Sequence, residues 1–270
     1  KEISGNVVID SEGNIYITTN SGIYSYTYNG TFRWNFTSSD VIGNFSSSVI
    51  GRDVIITPKS GDTLYLLNQS SGERYGSSNF YQASSLFAPV IDDEANIYIV
   101  SELQYDSGNY NLVIIPYKLW STGGDPTVVS LGKYQPIVGV SVNDDYVVVL
   151  MEGRIRLIDA NTLQSVFTKT SVNYKPVRPL ISEGNIVYCV LGDSIVAYTS
   201  SGSQLWKTDV AGGVGDKLYM DDDFALYATD SKGNLYSFDL LDGEKRLISS
   251  LSITSGILID ANHNLYFGCD

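Results

Sequence analysis

Thirteen of the thirty carboxylates in this 270-residue chain fall in short turns that recur along its length. They are Asp10, Glu12, Asp53, Asp92, Asp93, Glu94, Asp144, Asp145, Glu183, Asp221, Asp222, Asp223 and Asp260, with Arg52 as the one base among them. Clustered carboxylates can act as hard oxygen donors, and calcium is the ion that suits them. Asp92, Asp93, Asp221, Asp222 and Asp223 are the candidates for such a role. As a field of one sign they can also draw in cations or a basic partner. The third account is structural, because Asp and Asn bond their own backbone in tight turns. That account is favoured, so no resident metal or other cofactor is expected.

Other chemistry is sparse. His263 is the only histidine and sits in a turn sequence, which removes most histidine-based nucleophilic and metal chemistry. No Gly-x-Ser-x-Gly or phosphate-binding loop occurs. Ala211-Gly212-Gly213-Val214-Gly215-Asp216-Lys217 is glycine-rich, yet no Ser or Thr follows the Lys, and it reads as a turn between repeats. Cys189 and Cys269 lie far apart, and Cys189 reads as a small buried apolar residue.

The turns belong to a repeated unit. Val8-Ile9-Asp10-Ser11-Glu12-Gly13-Asn14-Ile15-Tyr16 reappears as Val90-Ile91-Asp92-Asp93-Glu94-Ala95-Asn96-Ile97-Tyr98 and as Leu258-Ile259-Asp260-Ala261-Asn262-His263-Asn264-Leu265-Tyr266. Weaker copies lie at 180–188 and 220–227, and more degenerate ones at 49–56 and 140–148. Tyr188, Tyr227 and Tyr266 are spaced 39 residues apart. Within the first unit, short apolar runs at Val7–Asp10, Ile15–Thr19, Ile23–Thr27 and Thr31–Phe36 are separated by Gly- and Asn-bearing turns, which predicts four strands joined by hairpins. A period of about 40 residues with strand patterning predicts an all-β propeller of four-stranded antiparallel blades. About seven repeats are visible, the last incomplete, and a full ring of eight is compatible with the spacing. Residues 1–270 read as a single domain.

The second half of the unit has a further likeness. Ile195-Val196-Ala197-Tyr198-Thr199, then Gly202, then Trp206, resembles the pyrroloquinoline-quinone-type propeller repeat. Ile23-Tyr24-Ser25-Tyr26 with Gly30 and Trp34 is similar, as is Leu235-Tyr236-Ser237-Phe238-Asp239 with Gly243 and Leu247 in the Trp position. The resemblance implies that Trp34 and Trp206 pack between neighbouring blades. That family contains quinoprotein dehydrogenases and non-catalytic scaffolds similar to the outer-membrane assembly lipoprotein. The dehydrogenases have vicinal cysteines, which this chain lacks, so a quinone is not expected.

The last repeat holds sequence for two strands only, at Gly256–Asp260 and Leu265–Gly268. The chain is therefore expected to continue past Asp270, or a partner to complete the blade, since open strand edges invite pairing. Lys plus Arg number 17 against 30 Asp plus Glu, a net charge of −13, and there is no basic stripe. Nucleic acid and anionic membranes are poor partners for such a surface. No apolar run reaches eighteen residues, so no membrane span is expected. Abundant Ser, Thr, Asn, Gly and Tyr with little Lys point to an extracytoplasmic protein, whether secreted, periplasmic or on the cell surface. Asn29, Asn35, Asn44 and Asn68 head glycosylation sequons. The longest predicted loops, Gly72–Leu86, Glu102–Asn111 and Ser121–Gln135, place Tyr75, Tyr81, Tyr105 and Tyr110 in or beside candidate partner-binding surfaces. The reading is a non-enzymatic scaffold for a protein partner. The alternatives are a subunit of a surface layer or filament whose last blade a neighbouring chain fills, and, less favoured, a carboxylate-based glycan-active or quinone-dependent enzyme.

Overall fold

In the computed structural model, residues 3–37, 49–50, 54–58, 63–79, 83–86, 89–103, 109–115, 127–133, 136–221, 224–260 and 262–269 are described. They form twenty-seven strands and, among the described residues, no helix. Among the described residues there is therefore no helix long and apolar enough to cross a membrane. The chain falls into two compact units, Lys1–Gln135 and Pro136–Asp270.

The first unit holds three antiparallel sheets. Sheet 1 is β1 (Ile3–Ile9), β2 (Ile15–Thr19), β3 (Gly22–Tyr26) and β4 (Phe32–Phe36), paired in chain order. Sheet 2 is β5 (Val49–Ile50), β6 (Val54–Pro58), β7 (Thr63–Asn68) and β8 (Arg74–Asn79). Sheet 3 runs β10 (Val90–Ile91), β11 (Ile97–Leu103), β12 (Asn109–Ile115), β13 (Thr127–Lys133), and β9 (Ala83–Leu86) also pairs with the far end of β11. β5 touches both β1 and β10, so the first strands of successive sheets stand side by side.

The second unit continues the pattern. Sheet 4 is β14 (Ile137–Val142), β15 (Tyr146–Met151), β16 (Arg154–Asp159) and β17 (Ser165–Thr170). Sheet 5 is β18 (Leu180–Ile181), β19 (Val187–Leu191), β20 (Ser194–Tyr198) and β21 (Gln204–Asp209). Sheet 6 is β22 (Val214–Asp221), β23 (Ala225–Asp230), β24 (Leu235–Phe238) and β25 (Lys245–Ser249). Sheet 7 has two strands, β26 (Leu258–Ile259) and β27 (Leu265–Tyr266). β18 touches β14 and β22, repeating the alignment of first strands. The fold is thus the all-β propeller class that the repeat predicts, built of four-stranded antiparallel blades with an incomplete last one.

The middle strands explain the apolar runs. In β19, Val187 and Cys189 pack with Val148, Leu150, Ile155 and Leu157 of sheet 4, while Tyr188 and Val190 pack with Leu218, Leu226 and Phe238 of sheet 6. A strand buried on both faces has no polar side to show, so its sequence does not alternate. Burial pushes the Cys189 thiol up to about 12, which removes it as a nucleophile.

Strand enters all three predicted loops. β8 and β9 occupy most of Gly72–Leu86, β11 and β12 enter Glu102–Asn111 from both ends, and β13 takes Thr127–Lys133 of Ser121–Gln135. The residues of β8, Arg74-Tyr75-Gly76-Ser77-Ser78-Asn79, show no apolar alternation, and this is the last strand of its sheet. An outer strand needs little apolar sequence, and its pattern resembles a loop.

Candidate functional site

The repeated acidic turn is a closed hydrogen-bond device. At Asp10, the backbone N–H groups of Glu12 and Asn14 donate to Oδ1 at 3.0 and 2.8 Å. The Asn14 amide and the Tyr16 hydroxyl donate to Oδ2 at 2.9 and 2.7 Å. Gln69 of sheet 2 adds a fifth donor to Oδ2 at 3.0 Å. A carboxylate offers about four lone-pair sites, so these donors fill it. Asp92 repeats the set with Asn96 and Tyr98, and Asp260 with Asn262, Asn264 and Tyr266. In each turn the residue three positions after the Asp has positive φ: Gly13, Ala95 and His263, at 82°, 66° and 64°.

These bonds set the electrostatics. Burial raises the Asp10 carboxyl, but the Tyr16 and Asn14 donors outweigh it and hold the group below its ordinary value. Asp260 is half-exposed, and bonds from the Asn264 side chain and backbone, with help from Tyr266 and Asn262, lower it to about 2. Carboxylates held in this form are poor general acids.

Asp230 escaped the sequence reading. Asp230-Ser231-Lys232-Gly233-Asn234-Leu235-Tyr236 is the same turn, with Lys232, Asn234 and Tyr236 donating to the carboxylate. It joins β23 to β24, the second and third strands of sheet 6, whereas the turns at Asp10, Asp92 and Asp260 join first to second. The heptad of residues was legible, but 220–227 had been aligned as that repeat's copy.

Of the calcium candidates, Asp92 lies within its own turn network and Asp93 is exposed beside it. Asp221 is buried, and its Oδ2 lies 2.7 Å from Nδ1 of His263. Asp222 and Asp223 lie outside the described residues. Among the described residues no three His, Cys, Asp or Glu side chains are grouped to hold a metal ion.

Trp34 and Trp206 stand where the repeat places them. Each is nearly buried, at 7% and 6% exposure. Trp34 Nε1 donates to the Gln69 carbonyl of sheet 2 at 3.0 Å, and Trp206 Nε1 donates to the Leu240 carbonyl of sheet 6 at the same distance. Tyr16 and Tyr188 pack on these indoles with ring centroids 5.8 Å apart. The neighbour's turn glycine lies under each ring: a Cβ on Gly72 would come within 2.4 Å of Trp34, and one on Gly243 within 2.5 Å of Trp206. Phe167 of sheet 4 takes the same role over Gly202 of sheet 5, where a Cβ would approach to 3.0 Å. Its own turn is disguised, because Leu163 replaces the glycine four residues before it and adopts φ 60°. Leu247 of sheet 6, at the corresponding position, is 58% exposed.

Residues 118–247 match the family model of the outer membrane protein assembly factor BamB. The resemblance to the pyrroloquinoline-quinone-type repeat, first seen at Trp206 and Gly243, holds across that stretch. BamB from Moraxella catarrhalis is similar in structure, with a TM-score of 0.67 at 19% identity over 99% of this chain and 80% of that one. A chain of the mitotic checkpoint complex is similar too, with a TM-score of 0.72 at 10% identity over 98% of this chain and 83% of that one. At these identities the likeness to BamB and to the checkpoint chain is one of fold. No curated protein matches this sequence.

The remaining candidates are scattered. Asn29 is exposed in the β3–β4 turn, where its Oδ1 accepts from the Thr31 hydroxyl at 2.9 Å. Asn35 is exposed on β4, and Asn68 is exposed at the end of β7 with Oδ1 accepting from the Ser70 and Ser71 amides. Asn44, Tyr81 and Tyr105 lie outside the described residues. Tyr75 is exposed on β8. Tyr110 corrects the expectation of a loop tyrosine: it is a residue of β12, 9% exposed, because the strand extends past the predicted loop boundary.

Proposed function

We propose that this chain is a non-enzymatic scaffold that presents outer-strand and turn surfaces to a protein partner outside the cytoplasm. One observation leads to this reading: the residues best suited to chemistry are engaged in holding the fold. Asp10, Asp92, Asp230 and Asp260 are bound within their own turns, and Cys189 is sealed between sheets. What faces solvent instead includes large apolar side chains on successive fourth strands, namely Phe32, Tyr75, Val128, Val166 and Leu205. The fold likeness to an assembly factor supports the same direction, although a fold alone does not specify a function. The exposed Asn29, Asn35 and Asn68 suit a glycosylated surface. Neither quinone nor calcium has a part in this reading.

A second reading has its own observation. Leu247 occupies the position of Trp34 and Trp206 and is exposed, beside a sheet of two strands. Strands added to β27, whether by this chain or by a neighbouring one, would cover it.

Photocrosslinking tests both. A benzophenone amino acid is placed singly at Tyr75, Leu205 and Leu247, and products are mapped by mass spectrometry in the native host. The expected result is one partner, joined through the same peptide from repeat to repeat of the experiment, at Tyr75 or Leu205. Joining at Leu247 alone favours the strand-adding neighbour. No discrete product at any of the three sites contradicts the scaffold reading.

A further inference from the structure

Two pairs of sheets are also tied together through the turns between their first and second strands. Between sheets 4 and 5 the link is made of amides: Asn143 Nδ2 donates to the Ser182 carbonyl and to Asn185 Oδ1, both at 2.7 Å, and Asn185 Nδ2 donates to Asp145 Oδ2 at 2.8 Å. Asn185 is the positive-φ residue of its turn, with φ 62°. Between sheets 6 and 7 the same turn position is His263, with φ 64°, and it reaches Asp221 at the end of β22. The geometry repeats, but a group that cannot titrate has been replaced by one that does.

We propose that His263 and Asp221 form a proton-operated clasp, which holds β26–β27 against sheet 6 in acid and loosens it as the pH rises. The carboxylate is 7% exposed and the imidazole 38%. Phe224 shields the ring from one side, with centroids 4.1 Å apart. A protonated ring makes a charge-assisted bond to Asp221. A neutral ring retains at most a neutral bond, and in the tautomer with its proton on Nε2 it sets two acceptors against each other.

Charged and titratable groups face the clasp from three elements. On β22 the facing group is Asp221 itself. On β23 it is Tyr227, whose hydroxyl is pushed up by burial and by the Asp221 charge. On the ring's own turn it is Asp260, already bonded to Asn264 and Tyr266. Asp222 and Asp223, next in sequence, lie outside the described residues. The imidazolium meets its carboxylate only in the folded chain. The charge-assisted bond therefore exists only while the ring carries its proton, and the clasp weakens once that proton is gone.

Hydrogen exchange tests the proposal. Protection of segment 258–266 is read against the buried reference strand β19, at about pH 5 and about pH 8. In the natural protein the ratio should fall roughly two- to fivefold across that range, the span of a partly screened ion pair. His263→Asn, which installs the Asn185 arrangement, should show no such fall. His263→Gly keeps the positive φ without the ring and should give equal ratios at both pH values, as should Asp221→Asn. Identical pH dependence in the natural protein and His263→Asn would overturn the clasp.

Discussion

Gly243→Ala is expected to destabilise the protein by about 3 kcal/mol. Its φ of +73° is costly for any residue with a Cβ, on the order of 1–2 kcal/mol. The added methyl would also lie 2.5 Å from the Trp206 ring, so the indole must shift within a packed core, at roughly 1–3 kcal/mol. A small gain from restricting the unfolded chain, about 0.4–1 kcal/mol, offsets part of this. Gly30 supplies the control. It has φ +84° at the equivalent turn of sheet 1, with nothing within 4 Å of its added Cβ. Gly30→Ala should therefore cost only the backbone strain, about 1 kcal/mol. Urea unfolding of both variants separates the two contributions. Equal losses would show that the ring contact has no energetic weight.

Trp206→Ala should be the most damaging single change in the second unit, at about 3–5 kcal/mol. The indole is nearly buried, packs against Tyr188 and covers Gly243. Trp206→Phe restores most of the packing. It loses the Nε1 bond to Leu240, whose carbonyl still accepts from the Tyr188 hydroxyl at 3.1 Å. A loss of about 1 kcal/mol is expected for Phe. Denaturant midpoints decide this, and a Phe variant as weak as the Ala variant would mean that the hydrogen bond, not the ring, secures the two sheets.

The architecture was legible because its signals are local. Asp10-to-Tyr16 and its copies give both the turn geometry and the repeat period, and the four strands of sheet 1 fall where the first repeat places them. Trp34 and Trp206 were legible through the glycine four residues earlier. What failed was non-local or weakly patterned. β8 has no apolar alternation, since an outer strand faces solvent, so it read as loop. Tyr110 was misplaced because the strands on either side of that loop extend further than their apolar cores suggest. Leu163 hid a staple by adopting a glycine's conformation. The His263–Asp221 link joins residues 42 apart, on turns that each look self-sufficient, and only the packing of sheet 7 on sheet 6 brings them together.

The central claim is that the recurring carboxylates hold the turns, leaving function to the displayed surfaces. Calcium tests it most directly. Thermal unfolding is compared in about 1 mM calcium and in excess chelator, because an ion that binds only the folded state raises Tm by mass action. The account predicts midpoints equal to within about 1 °C. A rise of several degrees in calcium, abolished by Asp92→Asn or Asp221→Asn, would contradict it and make the acidic turns a metal site.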